Sequence, residues 1–399
     1  MSPAPTLTRP AATPQAGNNK APAPVIRFTR ASRKKSRLIG SYNPGSLTTN
    51  VVNQPTIQVP AAGYMRRIRL LITGTTSANA ATVAFNADGP FNLLQQVTLL
   101  SANGDSIVSL IDGYSLYAMN KYGCFSSGTF DPVSLPSYSV TAGSGSTGGS
   151  FKFEISIPLE IDSRDAFCAV QNMAANQSFA LSYALNSIAN LYTVAPTTPP
   201  VITVYAVMDF WSAPAATNGN GDAQATEPIG KGSVSLIQTQ TPPINPGATQ
   251  NIQLLNVGNT IRLPIFILRN SSGVRTEADW PTITQFYINN DPYLYKHKDL
   301  WRADMARDYR LTGGLSATPA LNTLDNGVFV LSEFINDGAS GDMVAQGSCN
   351  RDLWLTTGSA TAFNIEASTA WGAGASTLLC LQNTIRPSSA QAMYSPQLI

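Results

Sequence analysis

The sequence predicts an all-β chain: two tandem eight-stranded β-sandwiches, each with one short helix, behind an extended basic N-terminal arm. Three observations carry this. From Leu38 onward, short alternating or apolar runs rich in β-branched and aromatic residues are cut by Gly, Pro, Asn and Ser. Only Asp112–Tyr122 and Lys298–Tyr309 have helical character, each behind a strand pair. The order of elements in the first half also returns in the second. At 399 residues the chain exceeds the usual size of a single core, which independently favours two domains.

Residues 1–37 are rich in Pro, Ala, Thr and Asn without apolar period, and read as an arm with no core of its own. The first sandwich, 38–211, has strand runs at Thr56–Val59, Ile68–Thr73, Leu93–Leu100, Ser106–Ile111, Phe151–Pro158, Ser178–Leu185 and Val201–Trp211. Residues 212–232, dense in Ala, Asn, Gly, Asp and Pro, form the linker. The second sandwich with a C-terminal tail, 233–399, has runs at Ser233–Thr239, Asn251–Leu255, Ile261–Leu268, Ile283–Ile288, Val328–Phe334, Asp352–Thr356, Phe363–Ala367 and Ser376–Gln382.

Thr56-Ile57-Gln58-Val59 followed by Ile68-Arg69-Leu70 is echoed by Asn251-Ile252-Gln253-Leu254 followed by Ile261-Arg262-Leu263. Downstream, a constant offset of 187 aligns Asn103 with Asn290, Asp112 with Asp299 and Tyr114 with Trp301. Several echoes in one order point to two copies of one unit. About eight strands per copy with long loops fits a jelly roll better than a meander barrel.

Charged residues are only 12% of the chain, which suits wide contact surfaces from which charge is depleted. His297 is the whole histidine inventory, so a Ser–His–Asp or Cys–His triad would need it; no nucleophile-elbow motif occurs, and it reads as a surface or interface residue. Cys124, Cys168, Cys349 and Cys380 are dispersed and read as buried free thiols. No calcium-loop motif is present, and Gly143–Gly149 lacks the Lys-Ser/Thr ending of a phosphate loop and reads as a loop tip. Neither an N-terminal apolar core nor a run of about 18 apolar residues occurs, so a chain soluble when made is expected. No catalytic residue, cofactor or metal is assigned.

The sharpest charged signal is the cluster Arg27, Arg30, Arg33, Lys34, Lys35 and Arg37. With Arg9 and Lys20 it gives residues 1–40 eight cations and no anion, leaving 17 basic against 23 acidic residues in the remaining 359. Such an arm is drawn to polyanions, through counterion release from nucleic acid or the surface potential of anionic lipid. Phe28 and Ile26, interleaved with the charges, are candidates for a membrane interface or a neighbouring subunit.

Gly89-Pro90-Phe91-Asn92-Leu93-Leu94-Gln95-Gln96-Val97, then a turn, a strand and Asp112-Gly113-Tyr114-Ser115-Leu116-Tyr117, resembles the first-domain core of the double jelly-roll major capsid proteins of tectivirus-like, membrane-containing icosahedral bacteriophages. The similarity in letters covers about 35 residues; the rest agrees in the order of elements. The resemblance implies a homotrimeric, pseudo-hexagonal capsomer tiling a virion shell, with separate vertex (penton) and minor capsid proteins. It implies an inward-facing arm near an internal membrane or the genome, outward or lateral loops at 125–150 and after Ser212, and synthesis and assembly in the host cytoplasm. The arm is longer, more Pro-rich and more basic than that pattern, which has a helix there. The alternative is a trimeric viral spike or receptor-binding protein built from jelly rolls, against which the basic arm counts. A secreted two-domain hydrolase is disfavoured by the lone histidine.

Overall fold

Side-chain alternation dictates the sheets. In the strand Tyr64–Asn79, Ile68, Leu70 and Ile72 are fully buried, while Arg67, Arg69 and Leu71 between them are half-buried on the opposite face. The computed structural model describes residues 26–79, 82–123, 131–175, 178–215, 217, 225–228, 231–254, 258–309, 324–332, 351, 354–357 and 362–388.

The first sandwich comprises β1 (Lys34–Ser46), β2 (Val52–Asn53), β3 (Ile57–Val59), β4 (Tyr64–Asn79), β5 (Ala84–Phe85), β6 (Leu94–Leu100), β7 (Ser106–Ile111), β8 (Ser139–Thr141), β9 (Gly145–Pro158), β10 (Val170–Gln171), β11 (Phe179–Leu185), β12 (Tyr192–Val194) and β13 (Val201–Trp211). The second comprises β14 (Val234–Gln240), β15 (Gln250–Leu254), β16 (Thr260–Asn270), β17 (Ile283–Ile288), β18 (Asp291–His297), β19 (Val328–Val330), β20 (Leu355–Thr356), β21 (Phe363–Ala367) and β22 (Ala375–Arg386). Helices are α1 (Phe28–Ala31), α2 (Gly113–Tyr122), α3 (Ile188–Leu191) and α4 (Lys298–Tyr309).

The duplication holds strand for strand. In the first half, β1-β13-β4-β9 form one sheet and β2-β11-β6-β7 the other; in the second, β14-β22-β16-β19 and β15-β21-β17-β18 repeat that order. Both halves are jelly rolls, and α2 and α4 occupy the same place, directly after the last strand of a hairpin. Asp112 caps α2 by accepting a hydrogen bond from Ser115 N at 2.8 Å, as a short polar residue before an apolar turn should. Tyr114 and Trp301, aligned by the offset of 187, are both 1% exposed. Phe91, from the motif that carries the resemblance, stacks on Tyr117 with centroids 4.3 Å apart and meets Phe153 edge-on at 5.1 Å.

Segments that differ from the sequence expectation include two short helices, α1 inside the arm and α3 before β12, and three stretches of strand. Strand β1 starts at Lys34 and pairs with β13 from Lys34↔Trp211 onward, so the last four residues assigned to the arm lie in a sheet. Its run of Lys and Arg is stable there because β1 is an edge strand, where charge also discourages pairing with foreign strands. Gly145–Gly149 is the start of β9, where Gly148 lies against Ala78 of β4, and not a loop tip. Strand β19 ends at Val330 instead of reaching Phe334; residues 333–334 lie outside the described chain.

The two jelly rolls meet edge to edge. Ile237 of β14 pairs in parallel with Val108 of β7, which joins one sheet of each half into a continuous ten-stranded sheet.

Candidate assembly surfaces and the basic end

The N-terminal segment enters the fold through a socket. Ile26 bridges Ala225 of the linker, Thr226 N donates to Ile26 O at 2.9 Å, and Phe28 N donates to Thr226 Oγ1 at 3.1 Å. The Phe28 ring is 3% exposed and packs edge-on against Tyr64 at 5.0 Å and Trp211 at 6.1 Å, in a cluster with Ala166 and Ala169. Phe28 is therefore spent on its own chain and is not available to a membrane or neighbouring subunit; Ile26 remains 45% exposed.

Around the socket, Arg27, Arg30, Arg33, Lys34, Lys35 and Arg37 are all exposed, and none forms an ion pair among the described residues. Arg37 Nη1 donates to Ala61 O at 3.4 Å, and Lys34 Nζ lies 5.0 Å over the Trp211 ring. Partial burial and the nearby Arg66 lower the Lys34 pKa, Glu160 opposing. Arg66 and Arg67 of β4, on the far side of β13 from β1, are neutralised by Glu160 at 2.5 Å and Asp209 at 2.8 Å. Ser388, two residues past β22, donates its N–H to Oγ of Ser233, the residue that follows the linker, at 3.0 Å.

A second set of charges, not foreseen from the sequence, ties the jelly rolls together. Asp88 accepts from Arg269 at 2.5 Å and Arg275 at 2.6 Å. Lys121 of α2, 3% exposed, binds Asp325 at 2.7 Å and Asp131 at 2.8 Å, while the Tyr122 hydroxyl also donates to Asp325. Arg262, fully buried, donates to Gly123 O at 2.5 Å, and Arg351 pairs with Asp165 at 2.6 Å. Burial pushes the Asp165 pKa up, Arg351 opposing. The available sequence signal was a cation inside an apolar run, as in Ile261-Arg262-Leu263, since such a charge must find partners. The partners across the seam lie more than 130 residues away.

His297 is half-buried at the start of α4, its Nδ1 accepting from Asp299 N at 3.3 Å. Cys168 and Cys380 are buried free thiols whose pKa burial raises; Cys124 and Cys349 lie outside the described residues. Among the described residues no three His, Cys, Asp or Glu side chains converge to hold a metal, and no helix is long and apolar enough to cross a membrane. A cleft of about 330 Å³ between the jelly rolls is lined by Asn86, Asn92, Asp112, Asn190 and Arg269, with Asp88 tied up by its two arginines.

No protein-family profile and no curated protein matches the sequence. Solved structures do. The major capsid protein of STIV matches with a TM-score of 0.62 at 13% identity, over 89% of this chain and 97% of that one. A chain from the atomic structure of Sulfolobus Turreted Icosahedral Virus gives 0.61 at 13%, over 89% and 91%. The fold is the double jelly roll of icosahedral-virus major capsid proteins. PBCV-1 VP54, fitted into a reconstruction of the virophage Sputnik, shares this double jelly roll with a TM-score of 0.51 at 11% identity, over 89% of this chain and 93% of that one.

Proposed function

We propose that the chain is the major coat protein of an icosahedral virion, three copies forming a pseudo-hexagonal tile whose basic end faces the interior. The observation that carries this is the duplication: two jelly rolls with the same strand order stand side by side in one chain, so three chains supply six similar columns around a threefold axis. Such a tile fills sixfold positions of a lattice but not fivefold vertices, which calls for a separate vertex protein, with minor capsid proteins as further partners.

Arg27, Arg30, Arg33, Lys34, Lys35 and Arg37 surround the point where the N-terminal segment leaves the fold, uncompensated by carboxylates. In this reading they contact an internal lipid membrane or the genome, both of which present phosphate. The test is electron microscopy of particles from the native source, with full-length protein co-sedimented with phosphatidylglycerol vesicles, phosphatidylcholine vesicles and duplex DNA. Icosahedral shells, and binding to an anionic target that falls steeply with salt, are expected. Shells built from another protein overturn the coat reading; failure to bind either anion overturns the role of the basic end.

A further inference from the structure

We infer that the cleft between the jelly rolls, at the end of the molecule opposite the basic one, binds a neutral saccharide. On the tile reading proposed above this end faces outward, where the site would hold the particle to sugars of a cell surface. The binding itself does not depend on that reading.

Register places the cleft. Strand β16 starts at Thr260, opposite Ile385 and next to the Arg386↔Val234 pair where the linker ends. It spans 11 residues. Its last residue, Asn270, therefore lies about 33 Å from that end. There Arg269 and Ser272 form one wall. The first jelly roll supplies the other, through Asn86 and Asn92 before β6, Gln95 within it, Asp112 at the start of α2 and Asn190 in α3.

Apart from Ser272, these polar groups are planar amides, a carboxylate and a guanidinium, the groups that bond two neighbouring hydroxyls at once. Their charges cancel. Arg269 and Arg275 hold Asp88 between them, and Asp112 supplies a second carboxylate, so the balance favours an uncharged ligand. The amides are fixed in advance: Asn86 Nδ2 and Asn92 Nδ2 both donate to Asn190 O at 2.6 Å, and Asn190 Nδ2 donates to Asn186 Oδ1 at 2.9 Å. Asn92 Oδ1 is buried without a hydrogen-bond partner, an acceptor that a ligand hydroxyl satisfies. Arg269 stands 5.5 Å over the Tyr114 ring, with Nη1 taken by Asp88 and Gly273 O, which leaves Nη2 for a ligand. At about 330 Å³ the cleft has room for about one hexose. No aromatic ring lines it, so a single site binds weakly and attachment comes from many copies acting together.

The test is saturation-transfer NMR on the full-length protein with methyl glucoside, methyl galactoside, methyl mannoside and N-acetylglucosamine as probes, and glucose 6-phosphate as the charged control. Transfer to at least one neutral probe is expected. Ser272→Trp, which fills the cleft from an exposed turn, should abolish it, and Gln95→Ala, which removes an exposed amide, should weaken binding at least threefold, both at an unchanged melting temperature. Silence from every neutral probe overturns the site, as does transfer that survives Ser272→Trp unchanged, since the sugar is then bound elsewhere. Glucose 6-phosphate bound as tightly as the best neutral probe overturns the neutral class. A chain that binds sugar through the cleft but sediments as a monomer overturns the tile and its outward attachment while leaving the site standing.

Discussion

Ile237 and Val108 sit opposite one another on parallel strands, and there the sheet of the first jelly roll becomes that of the second. One hydrophobic cluster runs through both halves, from Leu47 to Leu381, so the jelly rolls share a core instead of being linked like beads. Buried ion pairs at this seam hold the two jelly rolls against each other.

The first prediction concerns that seam. Asp325→Asn leaves Lys121 buried with only Asp131 as an anionic partner and weakens the bond to the Tyr122 hydroxyl. Removing one member of a buried pair costs about 3–5 kcal/mol, and the surviving Asp131 contact places this variant near the low end. Urea unfolding measures it; a loss below about 1 kcal/mol would mean that the seam is solvated.

Gly113 opens α2 where the chain presses on the turn before β6. A Cβ there would lie 2.0 Å from Phe91 O and 2.9 Å from Leu94 Cβ. Gly113→Ala should destabilise by about 1–3 kcal/mol through overpacking, although alanine is the better helix former. A stabilised variant in thermal melts would refute this close approach.

Glu160 supplies a pH dependence with a definite sign. Burial raises its pKa, Arg66 and the Trp211 N–H opposing. The folded chain therefore holds this proton to higher pH than the unfolded chain does. Its contribution to stability is most favourable in acid and declines as pH rises from the unfolded to the folded pKa. Glu160→Gln removes that slope, so the stability of wild type relative to the variant should fall as pH rises above the ordinary carboxylate range. A difference that grows with pH in melting curves would contradict the assignment.

Phe28 locks the N-terminal segment onto Tyr64 and Trp211. Phe28→Ala removes a buried aromatic, a change of about 3–5 kcal/mol in cores, felt here mainly as local release. Trypsin should then cut at Arg27, Arg30 and Arg33 much faster while the melting temperature moves little. Deleting 1–25 should leave the fold intact, but deleting 1–37 also takes Phe28 and the Lys34–Arg37 pairing with β13 and should lower stability. Equal protection in Phe28→Ala and wild type would show that the socket does not hold the segment.

The jelly rolls were legible because their interior strands obey one rule: one face is buried, so alternation writes Val201–Trp211, Ile283–Ile288 and Phe363–Ala367 into the sequence at their observed bounds. Strand β1 was hidden because an edge strand exposed on most of its length need not alternate, and Lys34, Lys35 and Arg37 look the same in an arm. The seam was hidden for another reason. Lys121 and Asp325, or Arg351 and Asp165, are joined only by the packing of two domains, which no local pattern records. The six basic residues were named from the sequence, and the fold adds where they sit and that Phe28 anchors them.

The central claim is that this chain is one third of a six-column tile. Sedimentation equilibrium of the purified full-length protein tests it most directly. The account predicts a single species of three times the 42.3 kDa chain mass that persists on dilution. A species of one chain mass at every concentration would contradict it.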